Sequence, residues 1–220
     1  MNTTRKTVSA VAAALSLSLA GGAQALVWDN GGPAAAVPGA SVMTDTLQAE
    51  DFVLSALSDI TAITFWNLQL VTGDYLGSIY YQINSGAPNG ALVATGTATP
   101  TRTAAGSVLG YNQFKNDIIL SVAGLAAGTY WLTLHDGPVT STGFADFYWT
   151  WADLNATNTP TTRGLELGLA PPSLVWTTNE QEHAFTITSE VSAIPEPSVG
   201  AMAAWGFGVV LLALRRRRAA

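Results

Sequence analysis

The segment Thr129-Tyr130-Trp131-Leu132-Thr133-Leu134 decides the fold class. It is rich in β-branched and aromatic residues and alternates in polarity, as a half-buried antiparallel strand does. Working outward, the same pattern recurs at Asp51–Leu54, Ile60–Trp66, Ser78–Ile83, Leu92–Thr97, Asp117–Leu120, Phe147–Trp151, Leu165–Leu167 and Ala184–Thr188. The connectors carry the matching turn residues: Gly73-Asp74, Ser85-Gly86-Ala87-Pro88-Asn89-Gly90, Ala127-Gly128 and Asp136-Gly137-Pro138. Glycine supplies positive φ and proline ends the ladder, so each connector interrupts a strand. No strong helical periodicity appears between the two termini. The pattern predicts an all-β body over 26–193, an antiparallel two-sheet β-sandwich of jelly-roll-like form.

Composition narrows the chemistry. The 220 residues hold 9 Lys+Arg against 15 Asp+Glu, a formal charge of −6, with only 11% charged residues. There is no cysteine, which excludes disulfides, thiolate metal sites and a cysteine nucleophile. The acidic balance argues against nucleic acid as a partner, because displacing phosphate counterions requires a basic face. A mean hydropathy of +0.27 looks high beside this charge until its source is located at the two ends.

Those ends read as addresses. Arg5 and Lys6 precede an apolar run from Val8 to Ala20, and Ala23-Gln24-Ala25 gives the small-x-small pattern of a cleavage site. Residues 1–25 are therefore expected to be a signal peptide, removed by signal peptidase during export, with Ala23 and Ala25 marking the cut. At the other end Pro195, Glu196 and Pro197 are followed by an apolar stretch from Val199 to Leu214 and by Arg215, Arg216, Arg217 and Arg218. Each proline fixes φ and removes a donor, so the motif is an extended spacer open to a processing enzyme. The stretch 199–214 would form a single transmembrane helix of roughly 24 Å. The four arginines would hold its end in the cytoplasm. Without both ends, residues 26–198 keep only Arg102, Lys115 and Arg163 against all 15 acids, a net of −12.

The order Pro-Glu-Pro, apolar helix, arginine cluster and chain end, carried by residues 194–220, resembles the PEP-CTERM sorting signal of Gram-negative bacteria. The resemblance implies an exosortase, a membrane-embedded protease, as the processing partner. It implies transient anchoring in the inner membrane, then release to the cell surface or the exopolysaccharide layer. The body resembles a secreted β-sandwich class found in such substrates, through Ala49-Glu50-Asp51-Phe52, Ile63–Trp66, Gly128–Leu132 with His135, and Asp146–Trp149. This class implies no functional residues.

Enzyme signatures are sparse. There is no nucleophile elbow, Walker loop or His-Glu-x-x-His helix. Two histidines, His135 and His183, cannot make a three-histidine zinc site. His135 and Asp136 are adjacent on a strand and so point to opposite faces, which does not suit a catalytic pair. No catalytic or metal-ligating residue is assigned, and no cofactor is expected. A structural calcium held by loop carboxylates such as Asp29, Asp45, Asp59, Asp74, Asp136, Asp146 or Asp153 is the one ion the residue types would suit. Of the tryptophans, Trp28 and Trp176 lie near loops and are the candidates for stacking on sugar. Phe147, Trp149 and Trp151 share a strand face that is expected to fill the core. The leading expectation is a non-enzymatic structural or adhesive component of the exopolysaccharide layer. A carbohydrate-binding module is the alternative, and a polysaccharide hydrolase with an unrecognised site ranks third.

Overall fold

The structure is a computed structural model that describes residues 24–35, 39–141, 143–153, 164–169 and 175–190. Among the described residues thirteen strands and one short 3-10 turn, Thr72–Asp74, make up the regular structure. One sheet centres on β4 (Ser58–Gln69), which pairs with β8 (Tyr111–Leu125) along one side. Its other side is shared by β13 (Phe185–Glu190) and β10 (Phe147–Thr150). β1 (Gln24–Asp29), β2 (Ala40–Val42) and β7 (Thr101–Val108) extend this sheet beyond β13, β10 and β8 respectively. The second sheet runs β12 (Thr177–Thr178), β11 (Leu165–Gly168), β3 (Thr46–Leu54), β9 (Gly128–Asp136), β5 (Ile79–Ser85), β6 (Ala91–Ala98). All named strand pairs are antiparallel.

The two sheets face each other across one core. Phe52, Leu54, Ile79, Ile83, Leu132 and Leu134 come from the second sheet, and Ile63, Phe65, Ile118, Phe147, Trp149, Phe185 and Ile187 from the first. Strand alternation explains the selection: Phe52 and Leu54, or Ile63 and Phe65, are two apart and so share a face. Trp149 packs edge-on against Phe65 and Phe185, with ring centroids 6.3 and 5.8 Å away. Its indole donates to the Ala184 carbonyl at 2.9 Å, so the polar atom of this large buried ring is satisfied. Phe147 and Trp149 thus fill the core as expected, whereas Trp151, expected beside them, lies just past β10, is only half-buried and donates its indole N–H to Ser41 Oγ at 3.1 Å.

All nine expected strands are present, and β1, β2, β7 and β12 are additional. The expected segment Asp117–Leu120 is the middle of the fifteen-residue β8. β7 escapes pattern reading because Thr101-Arg102-Thr103-Ala104-Ala105-Gly106-Ser107-Val108 has small residues and no apolar alternation. It is an edge strand whose conformation comes from pairing with β8.

Residues Gln24 and Ala25 pair with Glu190 and Ser189, so the first and last described residues lie at the same end of the sandwich. The opposite end is made of the connections β2–β3, β4–β5, β7–β8 and β9–β10. Among the described residues no helix is long and apolar enough to cross a membrane. Ala23, Pro195, Glu196, Pro197, the stretch 199–214 and Arg215–Arg218 lie outside the described residues.

Candidate functional site

Two polar clusters interrupt the apolar interior. The first begins on β3, where Gln48 and Glu50 are in phase with Phe52 and Leu54 and so project inward. Glu50 is fully buried. Its Oε1 accepts from the His183 backbone N–H at 3.0 Å and touches the His183 ring Nδ1. Burial pushes the Glu50 pKa well up, and the nearby Glu182 and Asp51 push it further. Burial takes His183 down to about 3. The contact is therefore a hydrogen bond between uncharged groups, with the imidazole N–H donating. Trp149 covers the imidazole with centroids 4.7 Å apart. Asn30 closes the cluster by donating to Glu182 Oε2 at 3.3 Å and the His183 carbonyl at 3.0 Å. Gly164 packs so closely here that a Cβ would collide with Glu50 Oε1 and the Gln181 carbonyl.

The second cluster surrounds Arg102, which the register of β7 sets opposite Asn116 of β8. Arg102 Nε donates to Asn116 Oδ1 at 3.0 Å, and Nη2 donates to Asn67 Oδ1 at 3.2 Å and to Gln69 Oε1. Its guanidinium carbon lies 4.2 Å from the Tyr75 ring centroid and 4.3 Å from that of Phe114. Among the described residues no carboxylate lies within ion-pair distance of it. Asn67 Oδ1 also accepts from Asn116 Nδ2 at 2.8 Å. Two donors on that oxygen fix the amide's orientation, and they leave Asn67 Nδ2 buried without an acceptor. Tyr75 Oη is likewise buried and unpartnered.

Asp136 lies behind this cluster at the end of β9, fully buried, accepting the Leu76 N–H at 3.3 and 3.1 Å. Burial pushes its pKa up to about 7, against the pull of the Leu76 bond and Arg102. The loops outside it expose Leu70, Val71, Leu76, Leu109, Val139 and Phe144. In the two-residue β7–β8 turn, Leu109 and Gly110 both have positive φ, 53° and 89°. A branched side chain at the first of these positions is strained, and Leu109 is 69% exposed, so packing does not compensate it.

The residues singled out in the sequence scatter. Trp28 packs half-buried against the core with a buried, unpartnered indole nitrogen. Trp176 sits half-buried just before β12. His135 is fully buried, its ring nitrogens 3.1 Å from the carbonyls of Gly137 and Thr44, while Asp136 faces the interior. Neither is placed to serve the other. Ala25 is part of β1. Among the described residues no three His, Asp or Glu side chains are grouped to hold a metal ion. Sequence reasoning missed Arg102, which has no motif around it, and Trp66, whose phase opposite Phe65 could have revealed it. Trp66, Tyr111 and Tyr148 are half-buried on the outer face of the first sheet, the two tyrosines 5.6 Å apart edge to face. Comparison of the chain with protein-family models and with curated proteins finds no match.

Proposed function

We propose that this chain is an exported, non-enzymatic surface protein, delivered by its C-terminal sorting signal to serve as a structural or adhesive component of an exopolysaccharide layer. The observation that carries this reading is the order of parts: export signal at 1–25, β-sandwich body, then Pro195-Glu196-Pro197, the apolar stretch 199–214 and Arg215–Arg218. An exosortase-type protease is the processing partner, and the arginines face the cytoplasm until cleavage. The pairing of β1 with β13 supports the reading mechanically. A tether at the C-terminus holds the sandwich by one end and leaves the loop end free. The sandwich is jelly-roll-like in that successive strands cross between sheets, as β2, β3, β4 and β5 do in turn.

Cell fractionation tests it. The wild-type chain is expected in the surface fraction, and replacing Pro195-Glu196-Pro197 by three alanines is expected to hold the chain in the inner membrane. A cytoplasmic wild-type chain, or unchanged processing of the variant, contradicts the proposal. A carbohydrate-binding role is the second reading, favoured by the outward aromatic strip of Trp66, Tyr111 and Tyr148. Stacking on sugar C–H surfaces uses the accessible part of these half-buried rings, and Trp66→Ala would then lose saturable quenching by sugar.

A further inference from the structure

The Arg102 cluster has more hydrogen-bond donors than its own acceptors use. A guanidinium carries five N–H groups and accepts nothing. Here three amide oxygens take its Nε and Nη2 protons, and Nη1 has no hydrogen bond to any described residue. Asn67 Nδ2 and Tyr75 Oη, both on side chains that touch the guanidinium, are buried without acceptors. The rings of Tyr75 and Phe114 and the side chains of Asn67, Gln69 and Asn116 hold the guanidinium in place. Among the described residues no carboxylate is bonded to Arg102, Asp136 acting on it only through space, and Arg102 remains partly open to solvent.

From this geometry we infer that the free Nη1 group of Arg102, held in position by Asn67 and Tyr75, is a carboxylate-binding site, and that the carboxylate is carried on an acidic saccharide. A carboxylate would accept charge-assisted bonds from the two Nη1 protons, the guanidinium protons that no described residue uses. The saccharide as bearer rests on the surface-layer reading, whereas the carboxylate site does not. The body's net acidity disfavours anions at long range, so recognition here depends on contact at Arg102 and not on steering.

Isothermal titration of the full chain in detergent micelles tests the inference, with trigalacturonate, its neutral galactose counterpart and sodium acetate as probes. The acidic trisaccharide is expected to bind saturably, the neutral one at least tenfold more weakly, and acetate is expected to displace the former. Arg102→Met should weaken binding at least tenfold. Asn67→Asp supplies the missing carboxylate from within, so it should abolish binding while its thermal midpoint stays at or above wild type. Equal binding of acidic and neutral sugars, no saturable binding to the wild type, or undiminished binding by Asn67→Asp would overturn the site. Mislocalisation of the chain in cells would instead overturn the surface reading, and the titration would still decide the site.

Discussion

The Glu50 and Arg102 clusters lie inside one sandwich and solve opposite problems. Around Glu50 the surplus is of acceptors, and burial removes the charge: the carboxyl keeps its proton and the imidazole stays neutral. Around Arg102 the surplus is of donors, and the charge stays, because a guanidinium does not give up its proton in a protein. It is spread instead over neutral amides and aromatic faces. The difference separates a closed structural joint from an open one. Glu50 and His183 are fully buried and bonded to each other, whereas Arg102 is partly exposed and its neighbours have unused donors.

The largest effect that would break this contrast is expected at Glu50. Glu50→Ala leaves the His183 backbone and ring donors without an acceptor and opens a void, at a cost of about 4 kcal/mol. Glu50→Gln keeps an acceptor and should cost less than half of that. Urea midpoints of the two variants check the ordering, and equal losses would show that the hydrogen bonds to His183 do not matter.

His183 should pull stability with pH in the direction opposite to the two buried carboxyls, Glu50 and Asp136. His183 titrates near 3 when folded and near 6.5 when unfolded, so its contribution is complete above 6.5 and falls as pH drops towards 3. Asp136 titrates near 7 when folded and near 3.8 when unfolded, so its contribution is complete below 3.8 and is lost as pH rises to 7. The second window corresponds to up to roughly 4 kcal/mol, the shift multiplied by 1.36 kcal/mol per unit. Thermal melts across pH should show Asp136→Asn flattening the limb from 4 to 7 and His183→Gln flattening the acid limb. A shared response to both substitutions would merge the two clusters into one.

A smaller test concerns the loop end. Leu109→Asn relieves the positive φ of the β7–β8 turn and should stabilise the fold by about 0.5–1 kcal/mol. A loss instead would show that the exposed Leu109 side chain supports the fold.

Much of this architecture can be read from residue phase alone. The alternation of Ile63 and Phe65, of Leu132 and Leu134, and of Phe147 and Trp149 announces strands and their buried faces. Glu50 was legible in the same way, since a carboxylate two residues before Phe52 and on its face must be buried. Arg102 was not. Its partners come from β4, β8 and the turn containing Tyr75, and only the register of β7 on β8 brings them together. That register is set by pairing between strands, one of which has no pattern of its own. The outward strip of Trp66, Tyr111 and Tyr148 joins three strands in the same way, although the phase of Trp66 was visible. The end segments were the reverse case: their order of charge, apolar run and motif can be read without any fold.

The most direct test of the central claim is the intact mass of the chain recovered from the cell surface. Export and sorting predict a polypeptide that begins at Leu26 and ends near Pro195–Pro197, having lost the apolar stretch and all four terminal arginines. Recovery of the complete 22.9 kDa chain, with Arg215–Arg218 still attached in cells that contain the sorting protease, would contradict it.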